Sequence, residues 1–410
     1  MSADVSKNIE SWSFCLLAFL LPTFPKFVPL SIALIGLVLI VQLILKRKKE
    51  TWSKITLRPQ HFLALLFILY LIGMIYSENM YFGWKDIEAK MSFIIFPILF
   101  GIIEIRQLKI NTKLIFLYFI IGCLVSVVLN FTGAAFCLLN GESGSFRCFT
   151  SSNLAYNAHV NHISMYYGLS IFALINIPYP RPLKIIGVSL FIISIALMLS
   201  IGGYIAIFAG SLVGFILIRK RIKKLKLITV SLLGVFLLIF FVLFDEIKSN
   251  YDQMYRNIDT KEEMYDRANT YSESLLTRLV VWDVALETLN QHPLGVGTGD
   301  VKDVLINRYA NLGLTKMERQ KLNPHNQYLQ TGVSIGYLGI LLMILLLLFS
   351  FLKGLKSNNV ILSAFVVMIS VNMLFESFME IQAGIIFCAF FLFLLEGSYD
   401  RDILEQEEVV

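Results

Sequence analysis

The segment Asn323-Pro324-His325-Asn326-Gln327-Tyr328 sets a histidine, a proline and two kinds of amide directly before a long apolar run. A neutral imidazole suits general-base work, because its ordinary pKa lies near neutrality. Proline fits the first turn of a helix, and the positive end of a helix disfavours the imidazolium. His325 is therefore a candidate base at the start of a membrane helix. Asn326 and Gln327 would add donors and acceptors for a hydroxyl-rich ligand. An ordinary helix cap at a membrane surface accounts for the same residues.

A second group begins with Arg278, has Trp282 one helical turn later, and continues into HPLGVGTGD (292–300). An arginine pairs with diphosphate through two parallel hydrogen bonds. Trp282 offers a flat face for a sugar, or for packing on neighbouring helices. The glycines, Gly297 among them, could bring backbone N–H groups to an anion. No βαβ unit surrounds them, so this is not a dinucleotide fingerprint.

A third group is NAHVNHISMYYG (157–168), in which His159 and His162 share a helix face. Two histidines at that spacing could bind a metal, but no acidic or thiol ligand stands alongside. A polar lining at the outer end of a span is the plainer reading. Lys85 and Lys90 could attract a lipid diphosphate or snorkel to headgroups. Glu376 and Glu380 flank another outer span end. Of five cysteines, Cys15, Cys123 and Cys388 fall in spans as packing residues, while Cys137 and Cys148 could meet near one face.

The elements that must position these residues are membrane helices. The chain has 410 residues, 57% hydrophobic and only 16% charged, with a mean hydropathy of +0.71. Soluble domains carry about 25% charged residues. Apolar stretches long enough to span a bilayer recur along the chain. We expect an all-α polytopic membrane protein with about twelve transmembrane helices, at 11–25, 27–45, 60–76, 90–104, 114–139, 155–177, 183–200, 201–218, 226–244, 326–352, 359–376 and 381–397. The run Trp12–Leu21 lacks a small-residue cleavage site and reads as a retained span rather than a signal peptide. The break between the seventh and eighth spans falls at Gly202-Gly203.

With the N-terminus in the cytoplasm, the inner loops hold 19 Lys and Arg and the short outer loops hold four: Lys26, Lys85, Lys90 and Arg147. This asymmetry follows the positive-inside rule and puts both termini on the cytoplasmic side. It also explains the net charge of +6 without nucleic acid. The chain then divides into helices one to nine (1–244), a large outer loop (245–325), helices ten to twelve (326–397) and an acidic tail (398–410). Such a long polar insertion should carry function. Its start, 245–267, is charged and tyrosine-rich and should lie on the surface as helix. From Leu275 to Leu289, apolar residues at 275, 279, 282, 286 and 289 predict an amphipathic helix.

In this order and topology the residues resemble the O-antigen ligase and polymerase superfamily. The resemblance rests on Arg278-x-x-x-Trp282-x-x-Ala285, then His292-Pro293-x-Gly295-x-Gly297-x-Gly299, then His325-Asn326-x-x-Leu329 followed by Gly336 and Gly339. Twelve spans with a large periplasmic loop fit the same family, as does GWKDIEAKMSFIIFP (83–97) at the start of the fourth span. The sharpest motifs occupy 278–339.

The resemblance implies glycan transfer at the periplasmic face of a bacterial inner membrane, with membrane lipids as surroundings. The donor would be a glycan on undecaprenyl diphosphate, and the acceptor lipid A-core for a ligase or another glycan for a polymerase. No cofactor or metal is implied. Carried over, His325 would be the base or acceptor-orienting residue and Arg278 the diphosphate clamp. Asn326, Trp282, Lys85, Lys90, Arg147, His159, His162 and Gly297 remain substrate-binding candidates. Direct displacement would invert the anomeric centre. Two positions depart from the pattern: Ile201 stands where an arginine is common, and Ser334 where an acidic residue is common. The missing diphosphate contact would then come from Arg147, Lys85 or Lys90. A polysaccharide or lipid transporter is the non-enzymatic alternative, but the chain lacks the repeated halves and mid-span ionisable residues of that class.

Overall fold

A computed structural model describes residues 9–45, 59–105, 108, 110–141, 145–155, 159–218, 260–270 and 275–397. All regular structure among them is helical. In chain order the helices are α1 (Ile9–Thr23), α2 (Val28–Leu45), α3 (Pro59–Ile75), α4 (Met80–Lys90), α5 (Ser92–Ile105), α6 (Thr112–Leu139), α7 (Ser145–Cys148), α8 (Ser151–Leu154), α9 (Val160–Asn176), α10 (Arg181–Leu197) and α11 (Ile201–Ile218). The second half adds α12 (Lys261–Thr270), α13 (Leu275–Gln291), α14 (Val301–Asn311), α15 (Thr315–Gln320), α16 (Gln327–Lys356), α17 (Val360–Phe375) and α18 (Gln382–Glu396).

Eleven of the twelve expected spans have a helix at their place, and the ninth, 226–244, lies outside the described residues. Among the described residues, four apolar helical stretches are long enough to cross a membrane by length and composition: Pro25–Ile44, Thr112–Leu139, Ile201–Ile218 and Gln327–Lys356. These runs are helical because apolar surroundings offer backbone groups no partner outside the helix. Asparagines set several starts by capping: Asn111 Oδ1 accepts from Leu114 N at 2.9 Å, Asn326 Oδ1 from Leu329 N at 3.1 Å and Asn359 Oδ1 from Leu362 N at 3.0 Å. The helix α1 packs on α6, α11 on α17, and α16 on both α3 and α17. Buried aromatic rings fill the centre, with Phe390 against Phe14, Phe96, Phe100 and Phe391.

Three expectations are corrected. The break between α10 and α11 falls at Met198–Ser200, where Leu199 has φ +50°, ahead of the glycine pair. Ser200 Oγ accepts from Gly203 N at 3.3 Å and starts the new helix there. Gly202 instead permits close packing, since a Cβ on it would meet Phe375 Cβ at 2.7 Å.

The tenth span is not continuous. Inside α16, Ile335 (φ −129°, ψ 18°) and Gly336 (φ 78°, ψ −173°) leave the helical region. The outer half therefore ends at Ser334, and its freed carbonyls need donors. The glycine run supplies them: Val296 N donates to Val333 O at 2.8 Å and Gly297 N to Ser334 O at 3.1 Å, while Tyr337 N returns a bond to Pro293 O at 3.0 Å. Irregular backbone at this depth is stable where protein covers it.

The predicted stripe on α13 is also displaced. Leu276, Val280, Val281, Val284, Ala285 and Leu289 are buried, whereas Leu286 is 46% exposed. The helix carries apolar residues on two faces. The buried one meets Tyr265, Leu305, Tyr309, Leu314 and Met317, together with Val333 of α16, in a second core. Of the 245–267 segment, only α12 at its end falls among the described residues.

Candidate active site

The glycine strap positions the outer half of α16, and Asn326 caps it, so His325 sits just outside the helix rather than in its first turn. Its φ is +44°, a left-handed conformation uncommon for a residue with a side chain. His325 N donates to Asn323 Oδ1 at 2.9 Å, which holds this conformation. Pro324 consequently precedes the cap instead of occupying the first helical position. The imidazole is held by a carboxylate, not by the helix end alone: His325 Nδ1 lies 3.2 Å from Glu376 Oε1.

Glu376 follows the last residue of α17. The Arg278 guanidinium donates to the carbonyl of Phe375, one residue before it. Burial works to raise the Glu376 carboxyl. The His325 hydrogen bond and the charges of His325, His159 and Arg278 outweigh it and hold the carboxyl below its usual value. Three predicted residues from separate chain segments thus gather around one acid that the motif did not include. Buried Asn161 and Asn372 tie α9 to α17 just below, with Asn372 Nδ2 2.7 Å from Asn161 Oδ1. His159 caps α9, its Nδ1 accepting from Asn161 N at 3.4 Å. His162 is buried and stacks on Phe378 at 4.2 Å between centroids. Among the described residues, no group of three His, Cys, Asp or Glu side chains could hold a metal ion.

A second acid network lies next to the first. Glu380 receives Lys90 Nζ at 3.3 Å, Gln327 Nε2 at 3.1 Å and Gln330 Nε2 at 3.2 Å. Gln327 Oε1 in turn accepts from Met379 N at 2.5 Å. The Lys90 ammonium also meets Asp86 at 2.5 Å, and its side chain is fully buried. Lys90 therefore neutralises two carboxylates of the protein, which corrects its reading as a free contact for a lipid diphosphate. Lys85 is exposed, its Nζ 4.3 Å above the Tyr81 ring.

The anion-nest reading of the glycines is corrected as well. Gly295 N donates to His292 O, Gly297 N to Ser334 O, Thr298 N to Gly73 O and Gly299 N to Ser77 Oγ. Gly297 has φ +108°, and a Cβ there would lie 2.6 Å from Ser77 Oγ. Its role is to let the strap pass close to α3. Trp282 packs partly against the second core, and its buried indole N–H has no hydrogen-bond partner among the described residues. Arg147 is exposed on α7, where its carbonyl accepts from Asn153 Nδ2 at 3.1 Å. A disulfide joins Cys137 to Cys148 beside it.

Sequence reasoning noted Glu376 and Glu380 only as flanking charges and passed over Gln330. The available signal was a pair of carboxylates four residues apart at the end of an apolar run. Such groups are costly near a membrane unless they are paired.

A family model described as O-antigen ligase matches residues 186–344, a range that includes Arg278, Trp282, the glycine strap, His325 and Asn326. No curated protein matches the sequence. Residues 186–344 are thus similar to the O-antigen ligase family, which supports the resemblance to the O-antigen ligase/polymerase superfamily.

Proposed function

We propose that this protein transfers a glycan from undecaprenyl diphosphate to a sugar hydroxyl at the periplasmic face of the inner membrane, as a ligase joining O-antigen to lipid A-core. The observation that carries the reading is the convergence of His325 and Arg278 on Glu376 at the outer end of α17. With Nδ1 on the carboxylate, the Nε2 of His325 is left to take the proton of the acceptor hydroxyl. A carboxylate partner also stabilises the imidazolium that forms. The acceptor oxygen forms its bond to the anomeric carbon as the bond to the diphosphate oxygen breaks. The electron pair leaves with the diphosphate, where the Arg278 guanidinium offsets the developing charge. Displacement from the opposite face inverts the anomeric centre. Fixed cations take this role without a metal, so transfer is expected to persist in EDTA.

Two further features support the outer location. Among the short loops, the basic residues concentrate in those expected on the opposite side, 19 against four. The Cys137–Cys148 disulfide suits an oxidising compartment.

The test is the lipopolysaccharide gel of a deletion strain. Loss of capped polymer with accumulation of lipid-linked polymer supports the ligase. Single repeat units on core would assign a polymerase instead. An unchanged gel would reject both.

A further inference from the structure

A cavity of ≈ 460 Å³ lies beside the catalytic cluster, between α4, the glycine strap, the start of α14, the 321–323 segment and the outer half of α16. It falls within the range of small-ligand sites, roughly 300–1,000 Å³. Asn323, which accepts the backbone N–H of His325, is part of its wall, and so is Glu380.

Its inner wall presents acceptors with no partner. Gln330 and Ser334 follow Gln327 at helical spacing and form a stripe down the outer half of α16. A carboxylate can only accept, so Gln330 must turn its NH₂ group to Glu380 Oε2, 3.2 Å away. Gln330 and Ser334 both line the cavity. Neither Gln330 Oε1 nor Ser334 Oγ has a hydrogen-bond partner among the described residues, although the two residues are only 8% and 2% exposed. A buried acceptor without a donor is unfavourable, and a ligand hydroxyl supplies one.

The rim is basic. Lys85, Lys302 and Lys321 border the cavity, and Lys302 Nζ stands 5.1 Å above the Phe82 ring. Inside, Asp86 and Glu380 share the single ammonium of Lys90. Four lysines thus face two carboxylates, leaving an excess of positive charge at the mouth and acceptors in the depth.

We infer that this cavity seats an acidic sugar residue of the acceptor glycan, with its hydroxyls on Gln330, Ser334 and Glu380 and its anionic group at Lys85, Lys302 and Lys321. The identification of the ligand as a glycan rests on the function proposed above. The anion is the carboxylate of a uronic acid or the phosphate of a sugar phosphate. Through Asn323, the seated residue is placed next to His325.

The experiment is saturation-transfer NMR on the full chain in detergent micelles, with glucuronate, glucose 6-phosphate and glucose as probes. One or both anionic probes are expected to give saturation transfer well above glucose, and the stronger of the two identifies the anion. The excess is expected to fall to the glucose level in Lys302→Glu/Lys321→Glu. All transfer is expected to be lost in Ser334→Phe, which fills the cavity. If that variant does not fold, Gln330→Leu, which removes the free acceptor at similar size, serves the same purpose. No binding of either anion by the native chain, or binding that survives both the charge reversal and the cavity change, overturns the inference. His325→Ala is expected to keep probe binding while losing glycan transfer. A chain that binds glucuronate but transfers nothing therefore separates failure of the function from failure of the sugar site.

Discussion

His325 Nδ1 meets Glu376 Oε1 at 3.2 Å across 51 positions of sequence, joining the segment before α16 to the end of α17. A general base of this kind contributes about 10²- to 10⁴-fold to rate. His325→Ala is expected to lower transfer in reconstituted vesicles by that order, with normal membrane insertion. Glu376→Gln keeps a hydrogen-bonding oxygen but loses the charge, so a smaller loss is expected. If His325→Ala retains full transfer, the base assignment fails.

The same pair sets a pH dependence. The Glu376 carboxyl is held below the ordinary carboxylate value, against its burial, by His325 first and then by the charges of His159 and Arg278. A depressed carboxylate contributes stability that is fully present above its unfolded value and is lost as pH falls through the folded one. The difference in thermal stability between the native chain and Glu376→Gln is therefore expected to be constant near neutrality. It should shrink only on acidification below the ordinary carboxylate range. A difference that vanishes already between neutrality and mildly acidic pH would contradict the pairing.

Arg278 is anchored on the Phe375 carbonyl by one nitrogen. Its charge would offset that of an anion, and removing one such donor from a transition state costs roughly 10²- to 10³-fold. Arg278→Ala is expected to show a loss of that order in kcat. Arg278→Lys keeps the charge but loses the fork and should recover only part of it. Equal transfer by the alanine and native proteins would remove Arg278 from the reaction.

The strap makes a different demand. Gly297→Ala would place a Cβ 2.6 Å from Ser77 Oγ at φ +108°. Strained positions of this kind cost about 1–3 kcal/mol. A lower melting temperature in detergent is expected, with activity lost in proportion to folded protein. A variant of native stability that fails only in transfer would restore the glycine to substrate binding.

The apolar helices and their order were legible in the sequence, because hydropathy is a local signal. The Glu376 partnership was not legible, since nothing in a single chain states that the end of α17 meets the segment before α16. The break at Gly336 was hidden inside an uninterrupted apolar run, and its stability depends on Val296 and Gly297, some forty positions upstream. The buried face of α13 was not legible because two apolar stripes compete, and only the core shared with α12, α14, α15 and α16 decides between them. Lys85 and Lys90 look equivalent in sequence, yet one is exposed and the other fully buried.

That last contrast is testable. Lys90 is held between Asp86 and Glu380 with no exposed side-chain surface, and removing one partner of a buried pair costs about 3–5 kcal/mol. Lys90→Met is expected to reduce the yield of folded chain sharply, because two carboxylates lose their shared cation. Adding Glu380→Gln should recover part of the loss, since it removes one of the stranded charges. Lys85→Met, at an exposed site, is expected to stay within about 0.5 kcal/mol of native stability. Thermal melts of the three variants in one detergent read all of these outcomes. A Lys90→Met chain that folds normally and loses only transfer would show that the ammonium serves the lipid-linked donor rather than the fold.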